Sequence, residues 1–131
     1  MAQSTEPAQR PDPWLEHCLA LPGAWRDEPW EGQVVAKVGP KIFAFLGGLR
    51  PSTADGPRTI GLKCGDREAA DLLLERYPGS VTALPYVGRW GWNAFRLDGS
   101  IPDDDLAELV ERSYEVVVAS LPRSRRPPTR H

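Results

Sequence analysis

Soft metal ligands are scarce in this chain: 131 residues include two cysteines, two histidines and a single methionine. His17, Cys18, Cys64 and His131 show neither a Cys-x-x-Cys nor a His-x-x-x-His spacing, and the neighbours His17 and Cys18 point apart on a helical pattern. No metal site and no cofactor are therefore expected. The same scarcity leaves serine or cysteine nucleophiles without an imidazole base. Gly47-Gly48 lacks the following Gly-Lys-Ser/Thr of a phosphate loop. A non-enzymatic protein that works by binding is the expectation. Long apolar runs are missing too: none approaches the roughly 20 residues that span a bilayer. The start Met1-Ala2-Gln3-Ser4-Thr5-Glu6 has neither the basic nor the apolar part of a secretory leader. A cytoplasmic protein without membrane contact, its thiols free and partly buried, is expected. No internal repeat is visible.

What is present suits one globular domain, with 40% hydrophobic and 26% charged residues. The net charge of −2 is uneven. The ten residues from Pro122 carry four arginines and no acid, which leaves residues 1–121 at −6. Residues 1–11 read as a disordered leader, 12–121 as the domain, and 122–131 as a basic Pro/Arg tail that serves either as an electrostatic arm or as a plain solvated end.

The domain is organised around Val34-Val35-Ala36-Lys37-Val38 and Lys41-Ile42-Phe43-Ala44-Phe45-Leu46, two β-rich runs joined by Gly39-Pro40, which read as an antiparallel hairpin. Alternation sets Val34, Ala36 and Val38 against Val35 and Lys37, and Ile42, Ala44 and Leu46 against Lys41, Phe43 and Phe45. Before the hairpin, Asp12-Pro13 caps a helix with Trp14, Leu15, Cys18 and Leu19 on one face, ending at Leu21-Pro22-Gly23. Residues 25–32 read as a connector whose Trp25 and Trp30 fold onto the core edge. After it come a loop over 47–57, a strand over 58–63 with Ile60 and Leu62 inward, and a helix capped by Asp66. A short extended piece over 80–84 and a strand over 89–97 follow. In that strand Asn93, Phe95 and Leu97 oppose Trp92, Ala94 and Arg96. The longest helix starts near Ser100–Asp103, with Asp103, Asp104 and Asp105 where its dipole favours negative charge and Leu106, Leu109, Val110, Ser113, Val117 and Leu121 as its buried stripe. This order, α-β3-α-β2-α, implies an α+β fold: an antiparallel sheet with helices packed on one face.

Leu19-Ala20-Leu21-Pro22-Gly23, Lys37-Val38-Gly39 with Lys41-Ile42-Phe43-Ala44, Leu62-Lys63-Cys64, Tyr77-Pro78-Gly79, Trp92-Asn93, Leu97 to Pro102, and Ser113-Tyr114 followed by Leu121-Pro122 together resemble the MmcQ/YjbR family. The likeness is collinear over about residues 12–122 and implies the α+β domain read above. It also implies a likeness to the double-wing DNA-binding module and to secretion chaperones. In one place the chain departs: Tyr86-Val87-Gly88-Arg89 stands where relatives carry a His-Met-x-Lys run, so no role of that histidine transfers.

DNA is the partner this resemblance implies. Lys37 and Lys41 flank the hairpin turn, Lys63 ends a strand, and Arg89, Trp92 and Arg96 belong to the last strand. Such cations reach phosphates while rings stack on unpaired bases or wedge into a groove. The acidic body opposes this, and the plain alternative makes the cations solvated strand ends and the tryptophans packing. The runner-up is a protein- or small-ligand-binding module using the same surface, as monomer or homodimer.

Overall fold

The structure, a computed structural model, describes residues 12–30, 33–48, 58–84 and 87–127, without the side chains of 47 and 48. The leader 1–11, most of the 47–57 loop, Tyr86 and the last four residues lie outside the described residues. In chain order the elements are α1 (Pro13–Leu19), β1 (Ala24–Trp30), β2 (Gln33–Val38), β3 (Lys41–Gly48), β4 (Thr59–Lys63), α2 (Arg67–Arg76), β5 (Val81–Ala83), β6 (Trp92–Arg96) and α3 (Asp103–Ala119). Short 3-10 turns occupy Gly88–Trp90 and Arg123–Arg125. The strands form one six-stranded antiparallel sheet in the order β1-β2-β3-β4-β6-β5. The fold is α+β, with α1, α2 and α3 on one side of the sheet.

One strand was not expected. Residues 24–30, read as a connector, pair with β2 and make the order α-β4-α-β2-α. Ala24-Trp25-Arg26-Asp27-Glu28-Pro29-Trp30 lacks an apolar alternation because an edge strand has one neighbour and faces water, and its charges and proline discourage a further strand from adding. Trp25 and Trp30 therefore stay out in solvent, at 44% and 58% exposure, instead of folding onto the core.

The central hairpin turns at Gly39-Pro40. Gly39 takes φ +59°, the positive value that a two-residue turn with glycine first requires, and proline follows at its fixed negative φ. Simple alternation fails in β3 because the register slips twice. Phe43 is the extra residue between the Lys37–Ile42 and Ala36–Ala44 pairs, and Leu46 the extra one between Val35–Phe45 and Val34–Gly47. Bulges turn successive residues to one side. Phe43 thus joins Ala44 and Leu46 under the helices, with its ring edge-on to Tyr114 at 5.3 Å, while Ile42 pairs with Lys37 instead.

The sheet's two faces are closed differently. Under the helices lie Val34, Ala36, Val38, Phe43, Leu46, Ile60, Leu62 and Phe95, met by Cys18, Ala70, Leu106, Val110 and Val117. On the far face Val35, Phe45, Trp92 and Ala94 form a smaller apolar group, with Phe45 edge-on to Trp92 at 5.2 Å. Gly61 lies between them; a Cβ there would stand 2.9 Å from Leu84, which packs over this face. The last strand begins later than expected, at Trp92. Gly91, at φ +95°, passes so close to Gly65 that a Cβ would sit 2.0 Å from its carbonyl oxygen.

Two buried polar side chains fasten the helices. Ser113 accepts a hydrogen bond from the Lys63 amide at 2.9 Å and donates one to the Phe43 carbonyl at 2.6 Å, joining α3 to β3 and β4. Asn93 donates to the Ala70 carbonyl at 2.9 Å and accepts from Arg67 at 3.0 Å, joining β6 to α2. The tail is also fastened. Arg126 donates to the Leu121 and Ala119 carbonyls at 2.9 and 3.0 Å, where its charge suits the α3 C-terminus, and Pro127 packs on Gly23. The tail through residue 127 is thus folded back on the domain and is no loose arm.

Replacing Asn93 with alanine leaves the Ala70 carbonyl and the Arg67 guanidinium short of a partner in a closed site. Urea unfolding of Asn93→Ala is expected to show a loss of about 2–3 kcal/mol. An unchanged midpoint would remove Asn93 from the stability of the fold.

Candidate functional site

Acidic residues concentrate on the helix side of the sheet, where Arg67, Arg76 and Arg112 offset only part of their charge. Of the 18 acidic residues, twelve lie on the helices or cap them: Asp12 and Glu16 for α1, four for α2 beginning with Asp66, and six along α3 from Asp103 to Glu115. The helix termini select most of these, since Asp12 and Asp66 accept hydrogen bonds from Trp14 and Ala69 amides and Asp103–Asp105 fill the first turn of α3.

Strand parity brings Lys37, Lys63, Trp92 and Arg96 to the opposite face of the sheet, and Lys63 lies directly across from Trp92. Lys41 and Arg89 are not part of that group. Lys41 extends beside the α3 C-terminus, where its Nζ donates to Ser120 Oγ at 3.0 Å. Arg89 belongs to the 3-10 turn and stacks on Trp90, 4.9 Å from the ring centroid.

Several of these groups are already engaged. Lys37 lies 2.8 Å from the Asp27 carboxylate and 5.1 Å from the centre of the Trp25 ring. Lys63 donates to the Trp90 carbonyl, and burial draws its ammonium below the usual lysine range. Arg96 lies 3.1 Å from Asp98 and donates to the Gly79 carbonyl. Trp92 is only 9% exposed, so its ring packs and cannot stack on a base. Among the described residues the most exposed rings are Trp25, Trp30 and Trp90.

The hairpin turn gathers what the sequence left apart. Trp25 donates its indole N–H to the Gly39 carbonyl at 2.9 Å, and Leu121 packs against Gly39. Lys37, Lys41 and the stretch from Leu121 to Arg126, which carries Arg123 and Arg125, thereby come to one end of the sheet. Among the described residues no carboxylate pairs with Lys41, Arg123 or Arg125. Trp25 was expected only to pack on the core edge because β1 carries no strand pattern, and the tail arginines were expected as an arm or a solvated end because the tail's return depends on Arg126 and Pro127 finding distant partners.

Burial pushes the Cys18 thiol up to about 12 and the Cys64 thiol up to about 11, so both stay protonated near neutrality. Among the described residues no three His, Cys, Asp or Glu side chains converge as metal ligands, and no helix is long and apolar enough to cross a membrane. A groove of about 280 Å³ runs between α2 and α3, with Leu72, Leu73 and Leu109 along it and Arg76, Asp105, Glu108 and Arg112 at its rim. An open hollow of about 670 Å³ lies on the other side of α2, beside Leu74, Leu84 and Arg89.

Comparison with known proteins places this geometry among relatives. The model of the YjbR family matches residues 19–116. The protein YjbR of Escherichia coli strain K12 is 30% identical over 114 residues, covering 86% of this chain and 90% of that protein, and the O157:H7 protein matches equally. The crystal structure of Deinococcus radiodurans protein DR2400, described with the domain DUF419, has a TM-score of 0.73 at 24% identity and covers 86% of this chain and 81% of its own, a likeness of fold.

The Lys37 contact, helped by the Glu28 amide, holds the Asp27 carboxyl below the usual carboxylate range. Because the folded value is depressed, this contact acts above the unfolded carboxylate's pKa, about 3.9, and is lost as pH falls through the lower folded value. A carbon-13 titration of Asp27 is expected to give a midpoint below the ordinary one, moving back up in Lys37→Met. The same midpoint in both proteins would mean that the ion pair does not form.

Proposed function

The chain belongs to the YjbR family, and on that premise we propose that it is a non-enzymatic binding protein whose leading partner is DNA, engaged from the cationic side of the sheet. One observation supports this most. Twelve carboxylates stand on or cap the helices, while Lys37, Lys63 and Arg96 lie on the other face and Lys41 and Arg89 at its ends. A polyanion meets repulsion on one side and attraction on the other, which orients it even though the net charge is −2. The proposal needs no turnover: the thiols are protonated and the buried polar groups serve the fold.

A second reading, binding of a protein or small ligand, was expected on the same sheet surface; the feature that favours it is instead the α2–α3 groove, which Leu72 lines at 62% exposure. The two readings differ in their salt dependence.

Fluorescence anisotropy with generic duplex and single-stranded DNA distinguishes them. For about three phosphate contacts, affinity is expected to fall roughly 40-fold between about 50 and 200 mM salt on duplex, and somewhat less on a single strand. Absence of any salt-sensitive binding at tens of micromolar protein would defeat the DNA reading and leave the groove as the place to look.

A further inference from the structure

Three features of the hairpin-turn end point the same way. The first is charge. Lys41, Arg123 and Arg125 are cations without a carboxylate partner among the described residues, and Arg123 and Arg125 are exposed. The chain brings them to the same end because Ser120 receives Lys41, Leu121 packs on Gly39, and Arg126 bends the chain back onto the α3 C-terminus. Lys37 and Arg126 add two more positive charges and Asp27 subtracts one.

The second is an anchored ring. Trp25 is 44% exposed, yet its indole N–H is fixed to the Gly39 carbonyl and the Lys37 ammonium lies over the ring. A ring held in place at the edge of a cationic patch presents a stacking surface with little freedom left to lose. The third is what the end lacks. Reading a duplex in the major groove calls for a helix or a two-stranded ribbon that projects into the groove. Here the helices carry the acids, and the hairpin turn is packed against Leu121 and Trp25, so it does not project.

From these we infer that the hairpin-turn end is a site for single-stranded nucleic acid, with Lys41, Arg123 and Arg125 on the phosphates and Trp25 stacked on a base. This rests on the DNA reading above and moves its centre away from Lys63, Arg96 and Trp92. It also gives the C-terminal arginines a fixed place in the interface.

The test is anisotropy of the full chain with oligo-dT of about 12 nucleotides and with a duplex of equal length. The single strand is expected to bind at least tenfold more tightly than the duplex. Exchanging Arg123→Glu together with Arg125→Glu should lower dT affinity more than tenfold and flatten the salt slope by about 1.4, two contacts' worth. Trp25→Leu should lower it about tenfold. Both arginines are exposed, so circular dichroism of the double variant should match the parent. If dT binds but the loss falls on Lys63→Gln with Arg96→Gln and spares the arginine pair, or if duplex binds as tightly as dT, this site is wrong while the DNA reading stands. If neither nucleic acid binds, both fall together.

Discussion

A closed amide decides where the rest of this molecule can go. Asn93 has no exposure to solvent and spends both ends of its side chain, one on the Ala70 carbonyl and the other on Arg67, which in turn holds the Gly88 carbonyl at 2.6 Å. An unpaired amide in that position would be costly, so β6, α2 and the 3-10 turn must keep their relative positions. Ser113 plays the corresponding part between α3 and the central strands. With α2 and α3 fixed on one face, the carboxylates that cap and line them are committed to that side. Lys37 and Lys63 are left on the other, while Lys41 reaches round to the α3 C-terminus.

The residues that make the family legible are those that do this fastening. Asn93 of the Trp-Asn pair, Ser113 and Tyr114, and Tyr77 all carry hydrogen bonds that hold elements together: the Tyr114 hydroxyl donates to the Pro22 carbonyl, and the Tyr77 hydroxyl donates to Asp105 at 2.7 Å. Gly39 makes the hairpin turn. Such a pattern identifies a fold firmly and says little about a partner, because partners are met by exposed groups. Trp92 illustrates the difference. Its place in a motif beside basic residues reads as a contact, yet the ring is spent against Phe45.

Much of the architecture could be read from residues alone. The stripe of α3, the facing of Asn93 and Phe95, and the alternation of β2 follow from local periods that tertiary structure did not override. The rest depended on partners far apart in sequence. β1 has the composition of a loop because edge strands are polar, and the bulges at Phe43 and Leu46 are register slips that no alternation reveals. The folded-back tail needs Gly23 to leave room for Pro127. The candidate surface was half legible: its lysines belong to predicted strands, but Trp25 and the arginines join it only through those long-range contacts.

Backbone resonances of the full chain, followed in a nitrogen-15 correlation spectrum as oligo-dT is added, put the charge separation to the most direct test. The Trp25 indole N–H, the amides of Gly39 and Lys41 and those of Ser120 to Arg125 are expected to shift first and furthest, with the outward faces of α2 and α3 silent. Shifts concentrated on Leu72, Glu108 and Arg112 would contradict that separation, because the ligand would then sit among the carboxylates that should repel it.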